Sequence, residues 1–185
     1  MKSRLFNLFT FFALLVSVVG SALTFTPAYA AGIVVNSNAD TVANDGTCTL
    51  REAITAANTN TASGAAIGEC TAGAGADTIT FTADYTITLL GSQLPTVTTD
   101  ITINGNGAAN TIIQANAAAN TATYRVFEVN NTGILTLDSL TVRHGRCNGA
   151  CPANLIAGGG MFSTGTLTLT NVTFSRNSAA GLGGG

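Results

Sequence analysis

Two stretches of the chain carry the same alternation of apolar and polar positions, 32 residues apart. Leu135, Leu137, Leu140 and Val142 recur as Leu167, Leu169, Val172 and Phe174, while Gly133, Thr136 and Thr141 recur as Gly165, Thr168 and Thr173. Each copy reads apolar–Thr–apolar, two turn-prone residues, then apolar–Thr–apolar, with Asp138-Ser139 and Thr170-Asn171 at the corner. Alternation with a period of two buries one face of an extended strand and wets the other. The corner residues are of types that accept turn geometry. Asp100-Ile101-Thr102-Ile103-Asn104-Gly105 matches the second half of the pattern, which places Asp100, Ser139 and Asn171 in one corner column. Thr78–Phe81, Thr86–Leu90, Thr111–Ile113 and Arg125–Val129 read as further short strands.

No helical period separates these strands, so the pattern does not describe βαβ crossovers. Asn-Gly, the signal of a tight hairpin, occurs mainly at Asn104-Gly105 and Asn148-Gly149, too rarely for a meander. Gly158-Gly159-Gly160 returns as Gly183-Gly184-Gly185, a step of 25. The difference between the two spacings matches a loop carrying Cys147 to Cys151. Short strands and corners in units of this length predict an all-β chain wound as a parallel β-helix, a solenoid in which Leu, Ile, Val and Phe stack inward and Thr faces out. A β-sandwich is the alternative architecture.

One segment breaks the two-residue period. Thr49-Leu50-Arg51-Glu52 has the form of a capping box, in which Thr49 accepts from the Glu52 amide and Glu52 reaches back to Thr49. Leu50, Ile54 and Ala57 then share one face of a short helix over about 50–58, suited to cover the exposed first coil. The organisation this predicts is a signal peptide over 1–30, an N-terminal cap with its helix over 31–76, and β-helix coils over 77–185. Gly181 to Gly185 falls where another coil would begin, so the coils are expected to be truncated there or covered by something else.

The opening residues read as a leader. Lys2 and Arg4 precede an apolar run from Leu5 to about Leu23, and Ala28 and Ala30 form the A-x-A pattern that places cleavage between Ala30 and Ala31. No basic stop-transfer cluster follows, which favours cleavage over an uncleaved anchor. Export makes the four cysteines legible as disulfides. Proximity pairs Cys48 with Cys70 and Cys147 with Cys151. Neither pair has the C-x-x-C spacing of a thiolate metal site.

Composition then narrows the chemistry. The 185 residues are 46% hydrophobic and 9% charged, and the leader raises the mean hydropathy. After Arg4 the chain holds five arginines against nine acids, and no lysine. There is no basic stripe for nucleic acid, and no lysine for a P-loop or a Schiff base. One histidine, His144, cannot supply the paired imidazoles of most catalytic zinc sites. An enzymatic reading rests on Asp77, Asp84, Asp100 and Asp138 with Arg143 and His144. Glycoside cleavage needs two carboxylates flanking one bond, or acids holding Ca²⁺ beside a base. The Asp100, Ser139 and Asn171 column carries one carboxylate in three, which favours a polar corner. Gly73-Ala74-Gly75-Ala76-Asp77-Thr78-Ile79 resembles a single copy of a calcium-binding repeat, a motif that works only in stacks, and reads better as a turn into a strand. Asn130-Asn131-Thr132 and Asn171-Val172-Thr173 have the form of glycosylation sequons. No catalytic, cofactor-binding or metal-binding residue is assigned.

Asp45-Gly46-Thr47-Cys48-Thr49-Leu50-Arg51-Glu52-Ala53-Ile54, continuing to Ala57-Asn58, resembles the signature of bacterial CSLREA-domain proteins, with Thr49 in place of Ser. Gly159-Gly160-Met161 with Phe174-Ser175-Arg176-Asn177 is similar to the paired elements of polymorphic outer-membrane-protein repeats, with Gly-Met replacing Ala-Ile. The resemblance covers most of the chain after the leader. It implies a right-handed β-helix, secreted or held at the cell surface or outer membrane. Members of such families act as adhesins or autotransporter passengers. The function expected is an exported, non-enzymatic, adhesin-like module without a transmembrane segment after the leader, binding a glycan or protein surface ligand and no nucleic acid. The alternative is a polysaccharide lyase or hydrolase on a pectin-lyase-like β-helix.

Overall fold

The structure is a computed structural model that describes residues 30–148, 151, 157–181 and 183. The apolar leader and most of the 149–156 segment lie outside the described residues, apart from Ala30 and Cys151. Among the described residues, no helix is long and apolar enough to cross a membrane.

Alternating sequence produces short strands, and every strand pairing is parallel. One sheet contains β1 (Gly32–Val35), β2 (Ala76–Phe81), β4 (Asp100–Asn104), β7 (Ile134–Asp138) and β11 (Thr166–Thr170), in that order. A second contains β3 (Thr86–Thr88), β5 (Ile112–Gln114), β8 (Thr141–Arg143) and β12 (Thr173–Ser175). Two further sheets have two strands each: β6 (Phe127–Val129) with β10 (Met161–Ser163), and β9 (Arg146–Cys147) with β13 (Ser178–Ala179).

Register aligns like with like. Ile79 pairs with Ile103, Ile103 with Leu137 and Leu137 with Leu169, while Ile101, Leu135 and Leu167 form the neighbouring apolar column. Thr78, Thr102, Thr136 and Thr168 line up on the opposite face. The second sheet stacks Ile87, Ile113, Val142 and Phe174. Ile79, Ile87, Ile101, Ile103, Ile113, Leu135 and Leu137 are fully buried in one core. Each contributes roughly 1.5–3 kcal/mol relative to exposure.

Helix α1 (Leu50–Thr59) shares that core through Leu50, Ala53, Ile54 and Ala57, packing against β1 and β2. Thr49 adopts extended backbone as N-cap, and both halves of the capping box are formed. Asn60 ends the helix in the left-handed region at φ 51°, and its N–H donates to the Ala56 carbonyl. The Cys48–Cys70 disulfide, with 4.7 Å between Cα atoms, ties the residue before the N-cap to the loop that follows the helix. Arg51 Nε and Nη2 donate to the Asp40 carboxylate at 2.9 and 2.8 Å, and its Nη1 reaches the Gln93 carbonyl at 2.8 Å.

The expected all-β class and right-handed β-helix are corrected. The arrangement is α/β-like: among the described residues, parallel strands in several small sheets together with one helix, and no solenoid is shown. The helix belongs to the same core as the strands, and the sheets are unequal in strand number. Steps between paired strands also vary, from 24 residues between Ala76 and Asp100 to 46 between Gly32 and Thr78. The repeat seen in the sequence therefore governs one part of the chain and not the whole of it.

The Asp100, Ser139 and Asn171 column is corrected too. Ile101 pairs with Leu135 and Asp100 with Ile134, so β4 belongs to the first half of the pattern. A run of alternating apolar residues fits either half equally well, and periodicity alone cannot choose. Ser139 and Asn171 do share a corner, at φ 55° and 52°.

Candidate functional site

Side chains at the corners decide which polar groups remain available. Asn177 Oδ1 accepts from the Gly145 N–H at 2.9 Å, and its Nδ2 donates to the Val142 carbonyl at 3.1 Å. Asn58 holds the chain before β4 in the same way, accepting from the Thr98 N–H and donating to the Thr96 carbonyl, both at 2.9 Å. These amides replace backbone partners that a bending chain cannot offer itself.

Beyond the Asn177 corner, β9 and β13 pair Arg146 with Ser178 and Cys147 with Ala179. They border a hollow of about 280 Å³ lined by Asn120, Arg146, Asn148, Ser178, Ala179 and Ala180. Arg146 Nη1 donates to the Asn120 carbonyl at 2.9 Å, which holds the guanidinium across the hollow. Ser178 Oγ is buried and has no hydrogen-bond partner among the described residues. The Cys147–Cys151 disulfide anchors the chain beside this rim, with 5.6 Å between Cα atoms. The Arg146 guanidinium and the Asn148 amide border a space whose described lining holds no carboxylate, while the Ser178 hydroxyl is covered from solvent. Such a pair can grip a carboxylate through the guanidinium and a neighbouring hydroxyl through the amide.

None of the acids considered for catalysis lines the hollow, and Asp77 and Asp100, at adjacent positions on paired strands, turn to opposite faces of the sheet. Asp77 takes an inward position in β2, 1% exposed, and accepts from the Ala74 N–H at 2.7 Å. That bond turns the Gly73–Asp77 segment into the strand. Asp84 is exposed and lies 3.5 Å from Asn106 Nδ2. Asp100 opens β4 and Asp138 closes β7, where it pairs with Asn104. Four residues of strand separate the two levels, roughly 13 Å at the ordinary rise. Carboxylates that cleave glycosides stand about 5–9.5 Å apart. Asp138 also accepts from the Ser139 hydroxyl at 2.7 Å.

Arg143 and His144 are engaged in the structure. Arg143 Nε donates to Gln114 Oε1 at 2.7 Å, and Gln114 Nε2 donates to Thr88 Oγ1 at 2.8 Å, one residue per strand. His144 is 5% exposed at φ 61°, with Nδ1 2.8 Å from the Asn116 carbonyl oxygen.

Two arginines escape a reading of the sequence. Arg146 pairs with Ser178 at the 32-residue spacing, so extending the repeat would have found it. Arg125 leaves no such signal. It is wholly buried, with Cζ 4.8 Å from the centre of the Phe162 ring and Nη1 3.4 Å from Glu128 Oε2. Burial pulls its guanidinium below the ordinary arginine value, and Glu128 opposes that shift.

Comparison with family models, with characterised proteins and with solved structures finds no match to this chain.

Proposed function

We propose that this chain is an exported, non-enzymatic binding module, secreted or held at a cell surface, and that it takes an acidic glycan in the Arg146–Ser178 hollow. The observation that carries the reading is a cation and a side-chain amide, Arg146 and Asn148, lining one concave space with no carboxylate among its described lining. Arginine suits planar carboxylates, and Asn148 suits ring hydroxyls. The acids outside the hollow support binding over turnover, because several of them hold backbone: Asp40, Glu52, Glu69 and Asp77 each accept from a main-chain N–H. Two disulfides fit an oxidising destination. The likeness of 45–58 to CSLREA-domain proteins supports an adhesin-like or passenger role.

The test is a panel of acidic and neutral oligosaccharides titrated against the wild-type chain and Arg146→Gln. Acidic members should bind, and the variant should lose that binding while neutral members stay silent. Binding of proteins alone would refute the glycan assignment. Release of reducing ends or unsaturated products, lost in Asp100→Ala or Asp138→Ala, would refute the non-enzymatic reading.

A further inference from the structure

The two disulfides sit in opposite electrostatic surroundings. The Cys48 and Cys70 sulfurs lie 4.0 and 3.8 Å from the Thr49 carbonyl oxygen, which carries partial negative charge. The Thr49 and Glu52 N–H groups are taken by the capping box, and its Glu52 carboxylate adds a further negative charge. A thiolate formed there is opposed by its neighbours. Cys147 is the reverse case. Arg125 is wholly buried, and its Nη2 reaches Cys147 Sγ at 3.6 Å while Nη1 faces Glu128 Oε2 at 3.4 Å. In the disulfide that sulfur is neutral and draws little from the guanidinium. As a thiolate it would form a buried, charge-assisted pair, which favours the reduced state.

Cys147 keeps its place beside Arg125 whether or not the bond exists. It lies in β9, where its carbonyl accepts from the Ala180 N–H at 3.1 Å, and the next N–H, of Asn148, donates to the Thr123 carbonyl at 3.4 Å. Cys147 is 0% exposed and Cys151 4%, so Cys151 is the sulfur nearer to solvent. The cysteines are 4 residues apart, against 22 for Cys48 and Cys70. Opening so short a loop releases little chain entropy to the unfolded state and leaves the fold standing.

We propose that Cys147–Cys151 is a thiol–disulfide exchange site, opened by a dithiol reductant while Cys48–Cys70 persists. A thiolate of the reductant attacks Cys151 Sγ, and the S–S bond breaks with its electron pair leaving on Cys147 Sγ, beside Arg125. The reductant's second thiolate then attacks its own sulfur in the mixed disulfide. Cys151 departs with that electron pair and takes up a proton. Two electrons thus pass from the dithiol, which becomes a disulfide and releases two protons, one to Cys151 and one to solvent. Asn148 lies between the two cysteines and lines the hollow, so exchange frees that part of the rim. Any effect on a ligand rests on the glycan reading above; the exchange itself does not.

The oxidised full chain is equilibrated at about pH 8 with graded ratios of reduced to oxidised dithiothreitol, quenched in acid, alkylated and read by peptide mass spectrometry. Cys147–Cys151 should reach half reduction at a ratio about tenfold or more below that of Cys48–Cys70. Arg125→Met should raise the Cys147–Cys151 midpoint several-fold and leave the other where it was. A second variant keeps the buried arginine: in Cys151→Ser, with Cys48–Cys70 intact, the thiolate absorbance of Cys147 should titrate below the ordinary cysteine value of about 8.5. With glutathione, the mixed disulfide should map to Cys151. Equal midpoints for the two disulfides overturn the proposal. So does a midpoint that ignores Arg125→Met, a Cys147 titration at or above the ordinary value, or glutathione found on Cys147.

Discussion

Replacing Glu52 by alanine tests how the helix is joined to the segment before it. The carboxylate accepts from the Thr49 N–H at 2.9 Å and from the Ala43 N–H at 2.8 Å, and Glu52 itself is 3% exposed. Thr49 is 1% exposed, so its N–H would be left buried without an acceptor, at about 1–3 kcal/mol. Ala43 is exposed and its N–H regains water, which limits that loss to under about 1 kcal/mol. The expected destabilisation is about 3 kcal/mol, with roughly half of that for Glu52→Gln, which keeps one acceptor oxygen. Urea unfolding followed by far-ultraviolet circular dichroism, with both disulfides intact, measures it. Thr49→Ala should cost about 1 kcal/mol. The double variant should lose less than the two single losses added together, because the pair acts as one unit. A Glu52→Ala loss below about 1 kcal/mol, or strict additivity with Thr49→Ala, would refute this account of the cap.

Position within a column should set the cost of the same truncation. Leu135→Ala opens a cavity in a fully buried site and should cost about 2–5 kcal/mol, whereas Leu167→Ala, one strand outward, should cost under about 2 kcal/mol in the same unfolding assay. Acid should release the loop after α1. The Ser63 hydroxyl and then the Gly46 N–H, donating at 2.6 and 2.8 Å, hold the Glu69 carboxyl below the ordinary carboxylate range. Its folded value lies below its unfolded one, so its stabilising effect is present above the unfolded value and disappears as pH falls through the folded one. The Gly46 amide resonance should report that titration by NMR, and in Glu69→Gln should keep only the smaller change that follows the adjacent Asp45 carboxyl.

Parts of this structure could be read from spacing alone. Leu135 opposite Leu167 and Val142 opposite Phe174 follow from an ungapped repeat, because equal intervals bring equal side chains to equal depth. The disulfide pairing also followed from proximity. Ile101 belongs opposite Leu135, which the alternation does not reveal because a two-residue period looks the same on either side of a corner. The overall class is hidden for a related reason: the repeat governs one part of the chain, and elsewhere the steps differ and a helix fills the core. Asn58 and Asn177 fall inside recognisable motifs, but nothing in the sequence distinguishes a side chain that braces a corner from one that faces water. Arg125, between Tyr124 and Val126, gave no sign of full burial. The Arg146–Ser178 hollow is built from residues that meet only after the strands pair.

Strand order in the two larger sheets follows order along the chain: β1, β2, β4, β7, β11 in one and β3, β5, β8, β12 in the other. No later strand is inserted between two earlier ones. A polypeptide emerging N-terminus first from a ribosome or a narrow pore can therefore assemble vectorially, each arriving strand finding a finished template. The nearest in-sheet partner is 24 residues away, so every addition waits for a substantial length of chain and closes a long loop. Assembly of this kind is slow at each step but never has to be undone.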